Sequence, residues 1–315
     1  MAEESGKKQS KQKSSAKKIL IYLILIIILA STIMEYRGFD LGKWLSEKFG
    51  RGAVTCDDDL EVHFIDVGQG DCIFITAGGQ NMLIDCGEAS CFGDVAEYLN
   101  KLDVTHLDYV VGTHPHSDHM GGMSSVISSY DVGTVIIPHL DDSDIPDTRY
   151  FENFLDACDE KNLMLTEAQV GQVIALGDAR AEIIAPCSDD YNGANNYSIG
   201  ILLTHGNNDF LFTGDAEKLA ENEMLESGKL HHVKVYKAGH HGSDTSSSQE
   251  FLNVISPDYA VVSCGVGNSY GHPHQVTLDK LEEYTRQIFR TDVNGSIVFE
   301  SDGINLKIKT ERNGR

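Results

Sequence analysis

The sequence predicts an α/β fold in which two β-sheets pack face to face with helices outside. Three observations carry this reading. Strand-like and helix-like segments are mixed throughout residues 59–310, and strands cluster at both ends of that stretch, which suits a layered sandwich. Three apolar runs each end in a small residue and then a metal-type side chain: "YVVGTH" at His114, "FLFTGD" at Asp215, and "VYKAGHH" at His240 and His241. Ligands at the C-terminal ends of buried strands converge on one sheet edge, where rigid strand ends hold them and the loops beyond admit substrate.

The elements follow in order. "LEVHFID" and "DCIFITA" read as strands split by the glycine turn "VGQG", and "NMLIDCG" is a third. "DVAEYLNKL" has helical spacing, with Val95, Tyr98, Leu99 and Leu102 on one face. "LDYVVGT" is a buried strand delivering His114; a helix follows the glycine pair, then strand "TVIIP" and helix "YFENFLDACDEKN". The second half gives strands "AEIIAP", "SIGILLTH" and "DFLFTGD", helix "AEKLAENEMLES", and strand "VKVYKAG" leading to His240. "SQEFLNVI" is helical, "DYAVVSC" a strand and "TLDKLEEYTRQ" a helix, and "GSIVFES" with "INLKIKT" closes the chain as a hairpin.

The 315 residues suffice for one large domain or two ordinary ones, and 41% hydrophobic with 23% charged residues fits a globular body with a real core. The net charge is −23, unevenly spread: residues 1–18 hold six lysines against Glu3 and Glu4, a net of +4 that leaves −27 on the rest. An acidic body repels polyanions at long range, which counts against avid nonspecific DNA binding. It leaves room for a nuclease whose metals supply the local positive charge.

Residues 19–34, "ILIYLILIIILASTIM", carry no charge and follow that basic tail. The run is just short of the usual span of about 20 residues. "ILA" is a poor signal-peptidase site, so the run is expected to be an uncleaved single-pass signal anchor rather than a cleaved signal. Residues 1–18 are then a cytoplasmic tail, 35–58 a linker, and 59–310 an extracellular domain at the cell membrane; the alternative is secretion after cleavage. The seven cysteines form no C-x-x-C pair, and Cys86 and Cys91 are close enough in sequence to close a small loop if they pair.

His114, His116, Asp118 and His119 form H-x-H-x-D-H. Imidazole nitrogen and carboxylate oxygen are the ligands of zinc and similar metals. The alternating His114 and His116 can point to one metal, the adjacent Asp118 and His119 to a second, and Asp215 suits a bridging carboxylate. Two metals about 3.5–4 Å apart can clamp both the attacking and the leaving oxygens of a displacement at phosphorus.

"HPHSDH", "FTGD" and "GHHGS" resemble the metallo-β-lactamase superfamily, and "VHFIDVGQGDCIFI", "NMLIDCG", "NNYSIGILL", "KAGHHGSDTSSSQEFL" and "YGHPH" resemble the β-lactamase-like domain of ComEC competence proteins and its stand-alone relatives, over about residues 60–308. The resemblance implies an αββα sandwich with two divalent metal ions, Zn or Mn, on one sheet edge. It implies metal ligation by His114, His116, Asp118, His119 and Asp215, and by His240 or His241, of which His240 is favoured as the residue at the strand end. Many members of the wider superfamily supply a further histidine to the first metal. Here that region reads "NGANNYSIG", with Asn195 and Asn196 and no histidine. An amide oxygen is a weaker zinc ligand, so the first site is expected to be weaker, completed by substrate or suited to manganese. Asn196 binds substrate or serves as a plain turn residue.

Around the ligands, the resemblance makes Asp85 a partner orienting a histidine from behind. Asp66 either does the same or fixes the glycine turn, and Gln69 in that turn faces substrate. Ser243 and Thr245 follow the histidine pair and can hold a phosphate oxygen. "YGHPH" sets His272 and His274 on a late loop, and His272 is the candidate to protonate a leaving alkoxide.

These residues point to a metal-dependent hydrolase, with Asp118 and His272 at the chemistry and a binuclear metal-activated hydroxide attacking a phosphodiester. The resemblance implies DNA as one substrate class, in extracellular processing or uptake, although one candidate span cannot form a channel. The alternatives are a phosphodiesterase of wall polymers or small molecules, a β-lactam or ester hydrolase, and a non-catalytic surface module. The oligomeric state is left open.

Overall fold

The computed structural model describes residue 56, residues 59–141 and residues 145–313. The basic tail, the apolar run and all of the linker but Cys56 and the segment boundaries drawn there lie outside the described residues. Among the described residues no helix is long and apolar enough to cross a membrane.

The first half runs β1 (Leu60–Phe64), β2 (Ile73–Ala77), β3 (Gln80–Ile84), α1 (Phe92–Lys101), β4 (His106–Val111), α2 (Ser117–Met120), α3 (Met123–Ser129), β5 (Asp131–Ile137), α4 (Arg149–Glu160) and β6 (Leu165–Glu167). The second runs β7 (Val173–Leu176), β8 (Ala179–Ala185), β9 (Gly200–His205), β10 (Asn208–Phe212), α5 (Lys218–Glu226), β11 (Val235–Lys237), α6 (Gln249–Ile255), β12 (Tyr259–Val262), α7 (Gln275–Glu282), β13 (Gln287–Arg290), α8 (Thr291–Asn294), β14 (Ile297–Ser301) and β15 (Leu306–Thr310). They form two sheets, ordered β15-β14-β1-β2-β3-β4-β5-β6 and β13-β12-β11-β10-β9-β8-β7.

Strand periodicity sorts the side chains into three layers. One face of each sheet points to the shared core, where Phe64, Ile75 and Ile84 of the first sheet meet the same cluster as Ile201, Phe210 and Phe212 of the second. The alternate residues Phe74, Leu83, Val110 and Val135 face outward to Val95 and Leu99 of α1, Val126 of α3 and Phe154 of α4. On the far side Leu202, Leu211 and Tyr236 meet Met224 of α5, Phe251 of α6 and Leu281 of α7. This is an αββα sandwich, with the closing hairpin β14–β15 paired onto β1.

Four differences from the sequence reading have local causes. Leu102 falls just past the end of α1 and is exposed. Strands β6 and β7 are three and four residues long, too short to show a period. The segment expected to be helical through Gln287 stops at Glu282, because Gln287 to Arg290 pair in parallel with β12. Cys86 and Cys91 form no disulfide: Cys86 is buried under α1, while Cys91 Sγ lies 3.0 Å from the Val67 carbonyl.

The topology fixes one functional edge. Strands β3, β4, β5 and β6 are parallel, as are β10, β11, β12 and β13. The residues just past β4, β10 and β11 meet across the two sheets, with His114 and His240 each within 4 Å of Asp215.

Candidate metal centre

Two sets of donor atoms meet on Asp215. His114 Nε2 lies 2.9 Å from His116 Nδ1 and 3.8 Å from Asp215 Oδ2. His119 Nε2 lies 3.2 Å from Asp215 Oδ1 and 3.2 Å from His241 Nε2, which is in turn 3.3 Å from Asp118 Oδ2. Each carboxylate oxygen of Asp215 thus faces a different set: His114 and His116 on one side, Asp118, His119 and His241 on the other.

Backbone geometry delivers these side chains. Gly214, at φ +51°, turns the chain after β10; a Cβ there would sit 2.9 Å from Ser198 Oγ. His240 and His241 occupy consecutive left-handed conformations, at φ 49° and 53°. Such conformations are strained for residues with a Cβ, and they concentrate at functional sites. Gly70 brings the β1–β2 turn against the H-x-H-x-D-H loop, since a Cβ at this position would sit 2.3 Å from the Asp118 carbonyl oxygen. Asp71 N–H donates to that same carbonyl at 3.1 Å.

The strained pair sorts the two histidines differently from the sequence expectation. His241 is buried among Asp118, His119 and Asp215, and its Nδ1 donates to the Ser263 carbonyl at 3.0 Å. His240 is partly exposed; its Nε2 reaches only Asp215 Oδ2, at 3.7 Å, and its Nδ1 meets Thr245 Oγ1 at 3.1 Å. The residue nearer the strand end turns outward because both residues are left-handed, and the second imidazole swings into the donor set.

Partners behind the histidines fix their rings. Asp85 accepts from Thr113 N–H at 2.8 Å and from Thr113 Oγ1 at 2.7 Å, and lies 2.7 Å from His119 Nδ1. Ser198 Oγ lies 3.3 Å from His114 Nδ1 while accepting from Asp215 N–H at 3.0 Å. Sequence reasoning missed Asp71 and Lys237. Asp71 Oδ1 is 3.4 Å from His241 Nδ1, and its Oδ2 is 4.0 Å from His119 Nδ1 and 2.6 Å from Lys237 Nζ. Asp71 is close enough to both imidazoles to belong to a metal-holding group with them. It faces their Nδ1 edges, whereas Asp118 faces the Nε2 edge of His241, the edge that His241 turns toward Asp215. The signal for both was a lone acid after "GQG" and a lone lysine inside an apolar strand.

Four other expected site residues do structural work. Asp66 takes the Gly68 N–H at 3.2 Å and pairs with Arg312, away from the donor sets. Asn196 is buried, and its Oδ1 accepts from Glu217 N–H at 3.1 Å and Ala220 N–H at 3.4 Å, capping α5. Ser243 is buried; its Oγ lies 3.1 Å from Thr245 Oγ1, which in turn orients His240. His274 Nδ1 accepts from Asp244 N–H at 3.1 Å, and its Nε2 lies 3.3 Å from the Tyr270 carbonyl, latching the loop. Short polar side chains next to a glycine-rich turn are used up locally, which sequence does not distinguish from contact with a ligand.

A cavity of about 260 Å³ opens onto the donor sets, lined among others by Gln69, His116, Asp118, Asp215, His240 and His272. His272 is therefore the one residue of the late loop's histidine pair that reaches the site. Its ring centroid lies 5.4 Å from that of His240, and its Nδ1 is buried without a partner.

The electrostatics suit cations. Burial opposes charge on His241, but Asp215, Asp71 and Asp118 outweigh it and push the imidazole up to about 9. Burial also opposes charge on His119, and Asp215 with Asp85 raises it well above the usual histidine range. His114 is held well below that range by burial and by the charge on His119. Burial works against the Asp118 carboxylate, yet His241 and His119 bring it down to about 2. His272 is lowered to about 4 by burial and by the other histidines. The two imidazoles meet Nε2 to Nε2 at 3.2 Å beside the buried Asp215 Oδ1, which makes no well-formed hydrogen bond. That donor set fits divalent cations, which satisfy imidazole and carboxylate lone pairs together.

Residues 65–266 match the family model described as the metallo-beta-lactamase superfamily. The chain belongs to this superfamily. It is similar to "ComE operon protein 3" of Bacillus subtilis (strain 168), 30% identical over 257 residues that cover 76% of this chain and 33% of that protein. It is also similar to "Recombination protein 2" of Haemophilus influenzae, 30% identical over 242 residues that cover 75% of this chain and 28% of that protein. The chain thus spans about a third of the length of these relatives. In fold it resembles the metallo-beta-lactamase fold protein YhfI from Bacillus subtilis, with a TM-score of 0.52 and 12% identity over 78% of this chain and all of that one. Membership of the superfamily makes the chain a metallo-hydrolase in class, and the His/Asp cluster is the place where divalent metal would bind.

Proposed function

We propose that this chain is a binuclear metal-dependent phosphodiesterase whose substrates include nucleic acid, anchored to the cell membrane through residues 19–34 with its hydrolase domain outside. The observation that carries the activity is Asp215, with one carboxylate oxygen toward each donor set. A shared carboxylate suits two ions a few ångströms apart, the arrangement suited to displacement at phosphorus. His114, His116 and Asp215 would hold the first ion, and Asp118, His119, Asp215 and His241 the second. Bound there, divalent ions supply Lewis acidity: they acidify water and offset charge on a phosphoryl oxygen.

The chain's own residues supply the orientation. Asp85 and Ser198 fix which nitrogen of His119 and His114 faces inward. Asp71, clamped by Lys237, holds His241 from behind. The first donor set has no third histidine, and His240 stands nearest to it at Asp215 Oδ2. His272 and Gln69 line the cavity and can hydrogen-bond a phosphoryl oxygen or leaving group. The relative named "Recombination protein 2" supports nucleic acid as a substrate class.

The test is a cleavage screen of the full chain with zinc or manganese, comparing single-stranded DNA, double-stranded DNA, RNA and small phosphodiesters. Metal-dependent cleavage of at least one diester is expected. A chain that retains about two metals and cleaves none of them contradicts the proposal.

A further inference from the structure

The outer wall of the metal cavity is aromatic rather than cationic. Tyr270 lines it and is 63% exposed, an unusual position for a large ring in a chain that buries Tyr197 and Tyr236. Its ring lies 5.6 Å from that of His272 at an interplanar angle of 20°, so the two are stacked and His272 backs the tyrosine. The loop that carries them is braced. Asn268 Oδ1 accepts from Tyr270 N–H at 3.2 Å and from His272 N–H at 3.0 Å. Gly265 N–H donates to Gln69 Oε1 at 3.3 Å, which ties the loop to the β1–β2 turn. Tyr270 is therefore held out at the rim instead of folding back onto the protein.

No lysine or arginine lines the cavity among the described residues, and the chain as a whole carries a net charge of −23. A duplex is gripped mainly through lysine and arginine on its phosphates, and this wall offers neither. Stacking of a base on an exposed aromatic ring needs no such charge and tolerates any base. The cavity, at about 260 Å³, is small beside the roughly 300–1,000 Å³ of drug-sized ligand pockets. It has room for a phosphate and its flanking sugar atoms, with the base left at the rim where Tyr270 stands.

We infer that Tyr270 is a stacking platform for one base next to the scissile phosphate, so that the site takes an unpaired nucleotide unit, at a single-stranded end or in a dinucleotide, in preference to a duplex. The inference rests on the phosphodiesterase reading and narrows it. Tyr270 acts in binding and specificity, with His272 as the ring that backs it.

The experiment compares kcat/KM of the metal-loaded full chain on a thymidine dinucleotide and on the same molecule with an abasic residue beside the phosphate, for wild type, Tyr270→Phe and Tyr270→Ala. Wild type and Tyr270→Phe are expected to favour the base-bearing molecule by about tenfold or more, carried in KM, and Tyr270→Ala to lose most of that ratio. Equal rates on the two molecules in wild type, or an undiminished ratio in Tyr270→Ala, overturns the inference, as does a wild type that cleaves duplex DNA as readily as single strands. If neither dinucleotide is cleaved and every diester of the cleavage screen is also left intact, the phosphodiesterase reading falls on its own. The ratio of their dissociation constants then decides the stacking: a tenfold ratio lost in Tyr270→Ala supports it, and equal constants overturn it.

Discussion

Lys237 Nζ lies 2.6 Å from Asp71 Oδ2, and both side chains are buried. The pair joins a turn of one sheet to a strand end of the other, since Asp71 lies in the β1–β2 turn and Lys237 ends β11, three residues before the histidine pair. Burial opposes the Asp71 carboxylate, but Lys237 and His241 hold its proton affinity far below the usual range. Removing one partner of a buried ion pair leaves the other charge unpaired, at a cost of about 3–5 kcal/mol. Lys237→Met is expected to lose stability on that scale in urea unfolding, and adding Asp71→Asn to recover part of it. A loss under about 1 kcal/mol would show that the pair is not a structural hub.

Asp85 reaches no donor set directly and acts through His119, 2.7 Å away. Replacing a carboxylate that orients a ligating histidine typically lowers metal affinity by about 10–100-fold. Asp85→Asn is expected to weaken binding at the Asp118, His119 and His241 set by that factor, read by competition with a chelating dye, while the first set changes less. Unaltered affinity would remove Asp85 from the account.

The raised His119 and His241 make metal loading a proton-releasing event. Without metal, the surrounding carboxylates push His241 up to about 9 and raise His119 well above the usual histidine range, so the pair holds protons more tightly than free imidazoles do. A cation can bind only the deprotonated rings. Loading at pH 7 should therefore release protons, and affinity at this set should rise as pH is raised above 7. Calorimetry in two buffers of different ionisation heat measures the release. A heat independent of buffer would contradict the assignment.

Much of the fold was legible because its strands obey a period of two and its helices a period near four. The three strand ends at His114, Asp215 and His240–His241 also announced the edge where the donor sets meet. What stayed illegible lay in turns. The choice of His241 over His240 depends on two consecutive left-handed residues, which no side-chain pattern encodes. Asn196, Ser243 and His274 are polar residues in glycine-containing stretches, where contact with substrate was expected, yet their polar atoms are consumed by the N–H groups of α5, by Thr245 and by Asp244. Asp71 and Lys237 are separated by more than 160 residues, and only their pairing across the sandwich reveals either as part of the centre.

The shared carboxylate is the centre of the account, and Asp215→Asn tests it most directly. Metal content and cleavage of a small phosphodiester would be measured together on the full chain, wild type and variant, after loading with manganese or zinc. The account predicts about two ions and turnover for wild type, and for the folded variant a lower metal content with turnover reduced at least 100-fold, the scale on which losing a key group stabilising the transition state acts. A folded Asp215→Asn protein that keeps two ions and wild-type turnover would contradict it.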